Sequence, residues 1–523
     1  MRIEFITEFE TDSMVRCEDK RKERSRLLDM NRKEAEDFIY KSYLKAQKYQ
    51  DYNVKDSKKR RNDLTFDLIR KKSKTPCVVI TGSKGKGSVA NMISQILQTK
   101  YTVGLMTSPH IVDFCERFRV NGGKISDEDF IKQISKIQDE IEHIDNSLPN
   151  NVCISPMGIQ TYLALNYFED KNTQFNIFEC GKGAKYDDVN NVKHEYAVIN
   201  SIFLEHTREL GETIEEIAED KAYVMTEDKE HVISKDKAYA VTDRCKNIKD
   251  DRNIILGEQK GVYVAEQIPG VMRVIQKRAD RLGVPLKVYG KDFWAENICY
   301  TKEGMFFDVV IGKERYENIV VPLLGEHQAK NCALALALCK DVLKNKDLQK
   351  EEDVLENGDL QKEEDVLENK DLQKGEDVLE DFDLIKIKEN LLKLNWPGRM
   401  EVISKTPFIL LDACINEASC ENVLKVLKHL KIKDAVVIVG IPDDKDYAGV
   451  VRAMKNVASD IILTKSQNPH YVFTKRQQER LAVDGIYAEW TESVVDSINM
   501  AKKKEKPIVI LGTTSVIGEV KKM

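Results

Sequence analysis

The stretch Thr81-Gly82-Ser83-Lys84-Gly85-Lys86-Gly87-Ser88 constrains the fold more than any other. An apolar β-type run, Cys77-Val78-Val79-Ile80, leads into it. A helical pattern leads out, with apolar residues at Val89, Met92, Ile93, Ile96 and Leu97. A strand, a glycine-rich turn and a helix opening on Lys and Ser form a phosphate-binding loop. Glycines let backbone N–H groups close around a phosphate, and the helix N-terminus adds partial positive charge. Gly82, Gly85 and Gly87 are placed for that cradle. Lys86 is expected at the β/γ-phosphates and Ser88 at a Mg²⁺ ion. The spacing is tighter than the common form, with Gly87 between the lysine and the serine.

Composition narrows the function classes. The net charge of −6 argues against a general nucleic-acid binder or a protein that coats anionic membranes. No apolar run approaches membrane-spanning length, and the first 30 residues lack the apolar core of a secretory signal. The 11 cysteines show no CxxC pair, which reads as reduced thiols in a cytoplasmic chain.

Organisation follows from the order of patterns. Residues 1–31 are polar and lack a period, with a basic cluster from Lys20 to Arg26. From Arg32 to Lys72 the pattern is helical, with Ala35, Phe38, Ile39, Tyr43 and Ala46 on one stripe. After the loop helix a strand over Thr102–Met106 ends near Ser108, and one over Phe175–Phe178 ends at Glu179. A third, Tyr196–Ile202, ends near Glu205-His206. In open parallel sheets ligands gather at the carboxyl ends of strands. Ser108, Glu179 and His206 should therefore converge on the loop's edge and, with Ser88, form a Mg²⁺ site. Later signals are a helix over Val271–Leu282, a strand over Val284–Val288, a hairpin over Met305–Val321 and a helix over Gln328–Leu343. The unit from 32 to 344 reads as one ATP-binding domain.

Asp-Leu-Gln-Lys then recurs at 347, 359 and 371, and Glu-Asp-Val-Leu-Glu at 352, 364 and 376. A 12-residue period matches no coiled-coil stripe and is too short for a solenoid. Residues 345–380 read as a charged insertion; a partner-binding role ranks below a solvated one. A linker helix at 381–396 follows. From Pro397 to the end, strands at Phe408–Asp412, Ala435–Gly440, Asp460–Thr464 and Pro507–Leu511 alternate with helices, a smaller Rossmann-like α/β domain. The fold class is thus α/β: a parallel-sheet ATPase domain with a phosphate loop, plus this second domain.

Taken together, the motifs resemble the folylpolyglutamate and dihydrofolate synthases, a branch of the Mur ligase superfamily. The family loop GTNGKGS is Gly82 to Ser88 here. Its TSPH and ER are Thr107-Ser108-Pro109-His110 and Glu116-Arg117. Its EvGlGG is echoed from Glu179 to Ala184, its DH as Glu205-His206, and its IAxeKa as Ile217 to Ala222. Its GxHQxxN is Gly325 to Asn331, and its PGR is Pro397-Gly398-Arg399. The departures are Glu205 for Asp, Ala184 for Gly, Lys185 for Arg, and Asp412-Ala413-Cys414-Ile415-Asn416-Glu417 for DGAHNP.

The resemblance implies roles. Ser108 and Glu179 would ligate a first Mg²⁺, and His206 a second, beside a carbamylated Lys221. Gln328 and Asn331 would approach the adenine, Arg399 the phosphates and Asp412 the ribose. Lys86, His206 and Lys221 would carry the catalysis. The implied reaction is ATP-dependent amide-bond formation between a small-molecule carboxylate and an amino acid through an acyl phosphate. A non-folate acceptor, or an ATP-binding pseudo-ligase serving as a scaffold, is the alternative.

Overall fold

A computed structural model describes residues 30–49, 61–225, 259–345 and 382–523. Both the basic cluster Lys20–Arg26 and the 12-residue repeats lie outside the described residues.

The first sheet has eight strands: β1 (Cys77–Thr81), β2 (Val103–Met106), β3 (Phe118–Val120), β4 (Gly123–Lys124), β5 (Phe175–Glu179), β6 (Tyr196–Ile199), β7 (Gly261–Val264) and β8 (Leu286–Val288). They lie in the order β4-β3-β2-β5-β1-β6-β7-β8. From β2 to β8 every pairing is parallel; β3 and β4 add an antiparallel edge. Every β1 side chain is buried, as a central parallel strand requires. Val78 and Ile80 pack with Val89, Ile93 and Leu97 of the loop helix Lys86–Leu97 and with Leu334 and Leu338 of the helix Glu326–Leu343. Cys77 and Val79 face the opposite layer, with Ile159, Leu163 and Phe168 of the helix Pro156–Asp170. Fully burying a side chain such as Ile80 contributes about 1.5–3 kcal/mol.

The chain leaves β1 for β2, fills the gap with β5, then crosses to the other flank with β6. That reversal puts the topological switch point at the carboxyl end of β1, where the glycine-rich loop begins.

A three-stranded antiparallel sheet, β9 (Phe293–Thr301), β10 (Gly304–Ile311) and β11 (Glu314–Val321), covers the helix Glu326–Leu343. The second large sheet is β12 (Glu401–Lys405), β13 (Phe408–Asp412), β14 (Ala435–Gly440), β15 (Ala458–Thr464), β16 (Glu489–Thr491) and β17 (Ile508–Gly512), in the order β12-β13-β17-β14-β15-β16. All but β12 run parallel.

The structure corrects three readings. The first helix stops at Gln47; Asn62–Thr65 is a 3₁₀ turn leading into a separate helix, Phe66–Lys72. The strand expected over 196–202 ends at Ile199, because Asn200 and Ser201 turn into the loop mouth. The hairpin over 305–321 has a third strand, β9, whose half-buried residues show no clean alternation.

Candidate active site

The loop geometry follows from its glycines. Gly82 and Gly85 have φ of 139° and 78°, a region L side chains rarely adopt. Gly85 is the residue before the helix, so the free N–H groups of the first turn face the mouth. A Cβ on Gly82 would stand 2.8 Å from Cβ of Asn200, and one on Gly85 2.6 Å from its Nδ2. Asn200 is buried; its Nδ2 donates to Oδ1 of Asn331 at 3.1 Å, and Asn331 donates to Oε1 of Gln328 at 3.1 Å. The Gln328–Asn331 pair expected at the adenine is thereby wired to the phosphate loop.

Two lysines meet inside the loop. Lys86 Nζ donates to the Gly82 carbonyl at 3.0 Å, and Lys221 Nζ donates to the same oxygen at 2.9 Å. Lys221 is buried, and Glu205 Oε1 lies 3.3 Å from its ammonium. Burial and the nearby Lys86 charge pull its pKa down, with Glu205 opposing.

Ser108 and Glu179 come together as expected: the Ser108 N–H donates to Glu179 Oε2 at 3.0 Å. Glu179 is buried at the end of β5, and desolvation raises its pKa against the pull of Lys86. Ser88 is buried in the first turn of the loop helix. His206 feels the charges of Glu205 and Lys221, the pair behind the loop. It has φ 49° at the start of a short turn, Thr207–Leu210, and burial lowers its pKa while Glu205 opposes. Arg399 acts electrostatically on Glu179, Asp412 and His327. Asp412 ends β13 and accepts from the Met400 N–H at 2.9 Å; burial pushes it up to about 6, against Arg399.

Four residues at the site were given no role by the sequence reading, although Arg117 and His327 stand in its motifs. Asn200 stands just past an apolar strand, which is its one sequence signal. Trp396 precedes Pro397-Gly398-Arg399, and its ring is 2.8 Å from where a Gly87 Cβ would sit. Arg117 is half-buried; it donates to His110 Nδ1 at 3.0 Å and to Gln160 Oε1 at 2.7 Å. His327 is held neutral, down to about 4, by burial and then by Lys84.

The comparisons with known proteins agree with this arrangement. The Mur ligase middle domain matches residues 80–339, and the Mur ligase glutamate ligase domain matches 398–513. The chain belongs to the Mur ligase superfamily. Among relatives of this ligase, a dihydrofolate synthase/folylpolyglutamate synthase of Bacillus subtilis is 26% identical over 475 residues, covering 90% of this chain and 95% of the relative. A folylpolyglutamate synthase of Lacticaseibacillus casei is 24% identical, covering 84% and 88%. A folylpolyglutamate synthase of Mycobacterium tuberculosis, solved with ADP and AMPPCP, shares the fold at a TM-score of 0.70 and 22% identity, covering 88% and 94%. The Mur ligase described here is an ATP-dependent, ADP-forming enzyme. No helix among its described residues is long and apolar enough to cross a membrane.

Proposed function

We propose that this ligase adds glutamate to the carboxylate of a folate-type substrate, through an acyl phosphate made with ATP. Relatives named for folylpolyglutamate and dihydrofolate synthesis support that choice, as does a structural neighbour solved with AMPPCP and folate. The observation that carries the ATP half of the reading is the meeting of Lys86 and Lys221 on the Gly82 carbonyl. Two ammonium groups on one oxygen repel, and a polyanion entering the loop relieves that repulsion.

The donor set suits Mg²⁺. Among the described residues no three His, Cys, Asp or Glu side chains form a ready metal cage. Mg²⁺ takes few protein oxygens and completes its shell with phosphate and water. Ser88, Ser108 and Glu179 would hold one ion, and His206 with Lys221 a second. When bound, the metal offsets charge on the transferring phosphoryl group.

The remaining chemistry is positioning. Lys86 would swing from Gly82 onto the γ-phosphate. Lys221, its pKa already lowered, is suited to carbamylation, which converts it to an anion. Gln328 and Asn331 would set the adenine, Asp412 the ribose and Arg399 the phosphates. Closure of the second domain would keep water from the acyl phosphate. The net charge and the reduced-thiol pattern fit a cytoplasmic enzyme.

The test is product analysis. The protein with ATP, Mg²⁺, glutamate and either dihydropteroate or a reduced folate should release ADP only when acceptor and amine are both present. Mass spectrometry should show the acceptor extended by glutamate. ADP release that ignores the acceptor, or extension by another amino acid, would overturn the assignment.

A further inference from the structure

The phosphate loop holds a second lysine that the site does not use. Lys86 folds inward to Gly82, whereas Lys84 points outward, and its Nζ donates to Ser419 Oγ at 2.6 Å. Ser419 lies in the first turn of the helix Glu417–His429 of the second domain. Its Oγ donates to Asn416 Oδ1 at 2.7 Å, and that oxygen also accepts the Ser419 N–H at 3.0 Å, capping the helix. Lys84 is thus bonded to the cap that ends the segment Asp412–Glu417. Its charge also reaches Asp412 and His327, so it borders the cleft between the domains. Both ends of the contact sit where the chain leaves the family pattern: Lys84 replaces the Asn of GTNGKGS, and Ile415 and Glu417 replace the His and Pro of DGAHNP.

We propose that Lys84 is a positioning residue: it ties the phosphate loop to Ser419 and fixes where the Asp412–Glu417 segment meets the acyl phosphate. The amine must reach the acyl phosphate formed at this loop, so a loosened tie is read in the KM for glutamate, and Lys86 rather than Lys84 is the lysine expected on ATP. This rests on the amide-ligase reading above. Lys84 is exposed, and exposed charged contacts are modest, so the expected change is about fivefold.

Steady-state kinetics on Lys84→Met, Ser419→Ala and the double variant test it. Each single change should raise KM for glutamate about fivefold and leave KM for ATP within about twofold. The double variant should be no worse than either single, since both remove one contact. Lys84→Arg, which keeps a donor, should recover most of the loss. A KM for ATP that rises in step with that for glutamate would make Lys84 a phosphate ligand and overturn the proposal; so would single effects that multiply. Small-angle scattering of the substrate-free protein needs no turnover. There Lys84→Met should enlarge the radius of gyration, and an unchanged radius would overturn the tether even if the substrate assignment failed. Wild-type protein that makes no glutamate product, yet shows the scattering change, would reject the substrate and keep the tether.

Discussion

The carboxamide of Asn200 donates to that of Asn331 across 3.1 Å, joining the end of β6 to the helix Glu326–Leu343. The same Asn200 backs onto Gly82 and Gly85. One buried amide therefore holds the phosphate loop and the Asn331–Gln328 pair in a fixed relation.

Asn200→Ala should loosen that relation. Loss of one buried hydrogen bond, with its partner left unsatisfied, costs about 1–3 kcal/mol. The dissociation constant of a non-hydrolysable ATP analogue should rise about tenfold in titration calorimetry. An unchanged constant would show that the loop is set by its glycines alone.

Gly87→Ala places a methyl 2.8 Å from the Trp396 ring. Overpacking of this kind typically costs about 1–3 kcal/mol. Thermal unfolding should shift down, and the indole emission should change. Because Asn395 O accepts from Asn91 Nδ2 at 3.2 Å, the ring has little freedom to move aside.

Lys86→Ala removes the cation expected on the γ-phosphate. ADP formation should fall by roughly 10²–10³ or more, the scale for one preorganised charge-stabilising donor. The fold should persist, since Lys86 Nζ bonds only to the Gly82 carbonyl among the hydrogen bonds of the described residues. Turnover at the wild-type rate would refute the ligase mechanism.

Asp412 predicts a pH dependence. Its carboxyl is raised from 3.8 to about 6 in the fold, chiefly by burial. Between those values the folded chain keeps a proton that the unfolded chain has lost, so this group's contribution to stability falls as pH rises. Denaturant unfolding across that window should show the decline, and Asp412→Asn should flatten it. Nucleotide affinity should move the opposite way, improving as the carboxylate forms and can accept from the ribose.

The loop, the parallel sheet and the second α/β unit were legible because their signals are local: β1, Gly82 to Ser88 and the helix after it lie within one stretch. Ser108 and Glu179 were legible as a pair because both follow strands of one parallel sheet. Asn200 and Trp396 were not, since their importance depends on which strand adjoins β1 and where the interdomain linker crosses the loop helix. His206 was legible only through its motif, because β6 ends at Ile199, seven residues before it, and a loop carries the chain to Glu205 and Lys221. β9 and β12 were missed because half-buried strands lack a clean period.

The ring of Tyr316 is shared by both banks of the 12-residue repeats. Lys340, near the end of one helix, holds its ammonium 5.4 Å from the ring centroid, and Phe382, where the described chain resumes, sets its ring at a tilt 5.1 Å away. The main chain therefore leaves and returns at one doorstep. Lys340 at that doorstep is about 14 Å along the helix from Asn331, at 1.5 Å per residue. An insertion held between two such anchors can change in length with no strand rethreaded and no site residue displaced.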